Sequence, residues 1–165
     1  MPILSTDIKY CLSGGATNQL PAASLGGVKS SYYVTPETIF DAVSGAESAA
    51  GDIEYRILYI QNAHATLSLD NAVAWLQANT PSATTTVDIG LGTSALNGTE
   101  QTIADESTAP AGVTFIAASS KGAGIALGSI PAGQHRAIHL RRTINAGTVA
   151  VNDTFTVRAE GETAA

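Results

Sequence analysis

Charge is scarce in this chain. Only 13% of its 165 residues are Asp, Glu, Lys or Arg, whereas 44% are apolar. An ordinary globular domain carries about twice that charge, so the composition suits a protein whose surface is largely occupied by neighbours. The charge present is acidic, net −6 with only eight Lys and Arg. Binding a phosphate backbone needs clustered cations, and no nucleic-acid partner is expected. Cysteine occurs once, at Cys11. That excludes an internal disulfide, and the residue reads as a small buried hydrophobe. Aromatics make up 5%, too few for a stacking platform, although Tyr32 and Tyr33 could line a small one. No run approaches ~18 apolar residues, so no membrane partner is expected. Residues 1–7 lack the basic start and apolar run of a signal peptide, and synthesis in a cytoplasm is expected.

What the chain does have is short β-like stretches between turn residues. The densest is 54–62, Glu-Tyr-Arg-Ile-Leu-Tyr-Ile-Gln-Asn. Ile57 and Tyr59 point one way, Leu58 and Ile60 the other, which predicts a strand covered on both faces at the centre of a sheet. Residues 5–12 alternate as a half-buried strand. A glycine-rich stretch, 13–27, reads as an extended loop or arm. Residues 28–34 read as a second strand. Thr35 as N-cap and Pro36 at the first helical position predict one or two helical turns through Val43. The stretch 46–52 reads as a small-residue loop.

Downstream, 67–69 and 72–77 predict one strand kinked at Asp70–Asn71. Trp75, the sole tryptophan, is expected in the core. Residues 84–91 alternate with Thr85, Val87 and Ile89 inward. Residues 92–112 are irregular, a long excursion with a loose strand near Ile103. Short strands follow at 113–117 and 125–127, then a longer one at 134–143 and a last one at 154–158, with a polar tail over 160–165. Eight to ten short strands with barely one helix argue an all-β, single-domain β-sandwich or barrel-like fold. No alternating strand–helix rhythm supports a nucleotide-binding α/β fold.

The chemistry-bearing residues form no recognisable constellation. His135 and His139 lie on a strand, about 13 Å apart, which disfavours a shared metal ion. His64 follows a turn. Asp52 and Glu54, and Glu160 and Glu162, are spacings common by chance. No Ca²⁺ loop of the Asp-x-Asx-x-Asx-Gly type, phosphate-binding loop or Gly-x-Ser-x-Gly elbow occurs. No catalytic residue, metal or cofactor is therefore assigned, and an enzyme is not expected. The one basic cluster is Arg136, Arg141 and Arg142.

Several landmarks together resemble a known group: residues 8–15 (Ile-Lys-Tyr-Cys-Leu-Ser-Gly-Gly), 21–27 (Pro-Ala-Ala-Ser-Leu-Gly-Gly), 39–43 (Ile-Phe-Asp-Ala-Val), 51–62, and Pro131-Ala132-Gly133-Gln134 before a strand with paired arginines. The pattern is similar to small virion structural proteins of tailed bacteriophages, most like the capsid decoration, or cement, class. The resemblance implies a non-enzymatic role on the virion: a β-rich knob, often trimeric, that binds the major capsid protein outside an expanded shell and ties capsomers together. Contact candidates are Arg136, Arg141, Arg142, Tyr32 and Tyr33, with 14–27 and the tail as binding arms. Alternatives are a neck, tail or fibre-attachment virion protein, and a carbohydrate- or host-surface-binding β-sandwich in which Tyr32, Tyr33 and Trp75 would be exposed stacking rings.

Overall fold

The computed structural model describes residues 2–34, 39–147 and 153–163. Eight strands are present among them: β1 (Ile8–Leu12), β2 (Asp52–Asn62), β3 (Leu69–Ala78), β4 (Thr85–Leu91), β5 (Phe115–Ile116), β6 (Ile125–Ile130), β7 (His135–Ile144) and β8 (Thr156–Glu162). They form two antiparallel sheets, one ordered β1-β2-β7-β4-β5 and one ordered β6-β3-β8. The fold is all-β, as the strand pattern predicts.

The two sheets share one core. Leu58 and Ile60 of β2, Ile138 and Leu140 of β7, and Val87 and Ile89 of β4 pack with Leu69, Trp75 and Leu76 of β3 and with Leu127 and Ile130 of β6. Alternate residues of a strand face opposite ways, so this inner face follows from the β-branched and leucine residues at every second position. Trp75 is buried, as expected. The kink in β3 is also present: its register slips around Ala72, and Asn71 takes a positive φ of 48°.

Four expectations are corrected. The middle of the larger sheet is β7, flanked by β2 and β4, because β2 spends its other edge on β1. The expected strand at 28–34 is only an edge segment. Its three backbone bonds to β1, Ser30 N–H to Leu12 O, Leu12 N–H to Tyr32 O and Val34 N–H to Tyr10 O, leave a single bridge, Cys11 with Tyr33. The helix start at 35–38 lies outside the described residues, and 39–43 is not helical. The helix comes later, as α1 (Gly45–Ala50), within the stretch read as a loop. Its signal is a reciprocal cap, with the Ser44 hydroxyl accepting from Glu47 N–H and the Glu47 carboxylate from Ser44 N–H. Finally, the expected tail begins too early: Glu160 to Glu162 extend β8.

Candidate functional site

The second face of the larger sheet is covered by chain without strand structure. β1 pairs only residues 58–62 of β2, which leaves the rest of that edge unpaired. Buried backbone groups must find partners, and two loops supply them. Tyr55 N–H donates to Glu106 O at 2.7 Å and Ile57 N–H to Ser24 O at 2.8 Å. Ser24 Oγ then donates to Ile57 O at 2.6 Å, beside Ser13 Oγ at 2.9 Å. Both serines are fully buried. Ile103 packs on Tyr55 and Ile57, with Leu25 and Phe115 around them. The glycine-rich stretch is thus a docked cover rather than a free arm. Gly26, at φ +106°, lies so close that a Cβ there would sit 1.9 Å from Gln101 O. The region near Ile103 is no strand; it is anchored by its amide to Leu25 O at 2.9 Å.

Beneath this cover is a polar cluster. Tyr59 is fully buried; its hydroxyl donates to Gly27 O at 2.5 Å and accepts from Glu100 N–H at 2.8 Å. The Glu100 carboxylate accepts from Thr93 N–H (3.1 Å), Thr93 Oγ1 (2.7 Å), Ser94 N–H (2.9 Å) and Gln101 N–H (3.2 Å). Burial pushes this carboxyl up, but the Ser94 and Thr93 donors and the neighbouring His139 outweigh it and hold it at about 2. His139 Nε2 lies 3.4 Å from Glu100 Oε1, off the line of a hydrogen bond. Burial lowers the His139 pKa, with Glu100 opposing. His135 meets the Tyr59 ring edge-on at 4.8 Å. The two strand histidines therefore hold different partners. A carboxylate fixed so far below neutral pH is a poor proton shuttle, and its work here is to bind loop 92–101 together.

A second charged cluster lies on the inner face, at the end of β2 and β7. Glu54 is opposite Arg142 in register, and Arg56 opposite Leu140. Arg56 is 1% exposed. Its guanidinium bonds Ile39 O (3.1 Å), Tyr55 O (3.0 Å) and the Glu106 carboxylate, and approaches Asp41 at 3.7 Å. Arg142 bonds the Glu54 carboxylate and Asp41 O at 2.8 Å. The Phe40 ring lies under both guanidinium groups, 5.5 Å from Arg56 and 4.8 Å from Arg142. Burial pushes the Glu54 carboxyl up, with the Arg142 guanidinium opposing.

The contact candidates scatter. Arg142 is buried and committed to Glu54, so it has no surface to offer. Arg141 points to the opposite face, bonding Asp88 at 2.6 Å and lying 5.0 Å over the Phe115 ring. Arg136 is half-buried and has no carboxylate partner among the described residues. The expected basic cluster is therefore not one surface, because consecutive strand residues diverge. Tyr32 and Tyr33 are 42% and 51% exposed along the edge beside β1, with Lys9 Nζ 5.3 Å over the Tyr33 ring. Trp75 is not available as a stacking ring. Cys11 is buried, its thiol 3.4 Å from Gln61 Oε1, and burial raises its pKa. His64 Nδ1 caps its own turn, accepting from Thr66 and Leu67 N–H.

Sequence reasoning missed Glu100, Ser13, Ser24 and the Arg56–Glu54–Arg142 group. The last had a signal. Glu54 and Arg56 share the parity of Leu58 and Ile60, and Arg142 that of Ile138 and Leu140, so opposite charges were bound to meet inside. No family model matches the chain, and no curated protein and no solved structure matches it either.

Proposed function

We propose that this chain is a non-enzymatic structural module of a tailed-phage particle, a decoration protein that binds the outside of the expanded capsid and bridges neighbouring capsomers as a homotrimer. The observation that carries the reading is where the polar chemistry lies. The most deeply buried charged groups, Glu54, Arg56, Glu100 and Arg142, are engaged by the protein's own groups. By contrast Tyr32 and Tyr33 stand exposed along the edge beside β1. Exposed aromatics beside a strand edge suit attachment to a larger surface through main-chain pairing and ring burial. The sparse charge and the resemblance of the sequence pattern to virion proteins point the same way. Many copies on one shell would multiply a modest contact energy, and selective binding to the expanded lattice would stabilise it by mass action.

The test is co-sedimentation of purified chain with expanded and unexpanded shells, with copy number measured. The reading expects saturable binding to the expanded shell alone, in hundreds of copies by order of magnitude given lattice multiplicity. It also expects a trimer in solution and occupancy reduced at least about tenfold by Tyr32→Ala with Tyr33→Ala, the loss of two interface aromatics. A dozen copies or fewer per particle would place the chain at the neck or tail. No binding to any virion surface would end the proposal.

A further inference from the structure

Most cations of this chain already hold an acid. Arg56, Lys121, Arg141, Arg142 and Arg158 each pair with a carboxylate, whereas Lys9, Lys29 and Arg136 have none among the described residues. Lys9 and Lys29 come together on the outer face of the larger sheet, at its β1 edge. Lys9 precedes Cys11 by two residues on β1, so both side chains point the same way. Lys29 Nζ lies 4.0 Å from Cys11 Sγ. Lys9 Nζ lies 5.3 Å over the ring of Tyr33, whose bridge partner is Cys11. The two ammonium groups are thus gathered around one buried thiol. Burial raises that thiol's pKa, and the charges of Lys29 and Lys9 oppose it.

The row behind them supplies no acid. Lys9 is opposite Gln61 in register, and Gln61 is opposite His135. Burial lowers the His135 pKa, a Gly98 backbone bond opposes, and the Lys29 charge lowers it further. The imidazole is therefore neutral at pH 7. Asp7, two residues before Lys9, gives its carboxylate to the Leu4 amide at 2.8 Å. Lys29 Nζ donates to Ser30 O at 3.0 Å, which steadies its side chain. Lys9 and Lys29 are half-buried and Tyr33 is exposed, so the group is open to solvent on one side and backed by the sheet on the other.

We propose that Lys9, Lys29 and the Tyr33 ring form a docking site for an acidic segment of a partner protein. A carboxylate of that segment takes the two ammonium groups as donors, and a neighbouring apolar side chain lies on the exposed ring. The site rests on the attachment reading of the same edge and gives the partner its chemistry. The chain as a whole carries net −6, so it repels an acidic partner everywhere but at such an island. The island then sets the orientation in which the partner arrives. Two lysines are too few for a phosphate backbone or an anionic membrane, which take longer basic clusters.

A labelled peptide alternating Glu and Thr around a central Leu, titrated with the full chain and followed by anisotropy and amide NMR, tests the site. The same peptide with Gln for every Glu, and a short single-stranded oligonucleotide, are the comparisons. The site predicts saturable binding of the Glu peptide with Kd below about 1 mM, weakening as salt rises from about 0.05 to 0.5 M. Amide shifts are expected at Lys9, Cys11, Lys29 and Tyr33. The Gln peptide should bind at least about tenfold more weakly, as should the Glu peptide to the Lys9→Gln, Lys29→Gln double variant. That variant keeps its Tm, because both ammonium groups reach solvent, and Lys121→Gln leaves affinity unchanged. Equal binding of the two peptides, affinity unchanged in the double variant, tighter binding of the oligonucleotide, or no binding at peptide on the order of 1 mM would each overturn the site. Self-association lost in the double variant would assign the face to a second copy and overturn it too. Full shell binding by the double variant would overturn this site and leave the decoration reading standing, whereas peptide binding without shell binding would do the reverse.

Discussion

The two faces of the larger sheet are covered by different physics. Away from the Glu54–Arg56–Arg142 cluster at one end, the inner face meets β3, β6 and β8 chiefly through apolar side chains, and its stability there comes from apolar area removed from water. The outer face meets two irregular stretches, 14–27 and 92–112, that bring few apolar groups, chiefly Leu25 and Ile103. They are held by bonds from Ser13, Ser24, Tyr59 and Glu100 to the backbone. A hydrogen bond contributes only about 1 kcal/mol net, yet an unmade buried one costs more. An irregular cover can therefore be specified by a few polar residues that must all be satisfied, without a continuous apolar stripe.

The sharpest break of this contrast is Glu54→Ala. It strands the Arg142 guanidinium on the inner face, and about 3–5 kcal/mol of stability should be lost in denaturant unfolding. Glu100→Gln comes next. Its carboxyl is held at about 2 against an ordinary 4.5, so the folded form binds its proton less readily than the unfolded chain. That contribution, about 3 kcal/mol, is fully present above pH 4.5 and lost as pH falls through about 2. The Gln variant should lose it at neutral pH and show a flatter acid limb in Tm against pH. His139, also lowered, adds acid sensitivity beginning below about 6.5, since the folded state resists its protonation.

Tyr59→Phe removes two loop bonds while keeping the ring against Cys11 and Ala137. It should cost about 1–3 kcal/mol, with exchange rates raised mainly for the Gly27 and Glu100 amides. Lys121→Ala is the control. It breaks an exposed pair with Glu160 at 3.2 Å and should change stability by no more than about 1 kcal/mol.

The same contrast explains what was legible in the sequence. β2, β4 and β7 announce themselves because Leu58 and Ile60, Val87 and Ile89, Ile138 and Leu140 repeat every second residue. The kink in β3 was visible in Asp70–Asn71. The outer cover was not, because Ser24, Gly26 and Glu100 acquire their roles only from partners far along the chain, such as Ile57 O and Tyr59 Oη. α1 was legible in Ser44 and Glu47, three apart, but Ala and Gly around them masked it. The three arginines looked like a cluster because adjacency in sequence is not adjacency on a strand.

Native-state hydrogen exchange tests this account most directly. The Gly27 and Ile103 amides bond loop to loop, at 3.0 Å to Glu100 O and 2.9 Å to Leu25 O, whereas Ile138 and Leu140 lie in the middle strand. The account predicts that Gly27 and Ile103 exchange through a local opening of lower free energy, insensitive to mild denaturant, while Ile138 and Leu140 exchange only on global unfolding. Equal protection and equal denaturant dependence at all four amides would contradict it.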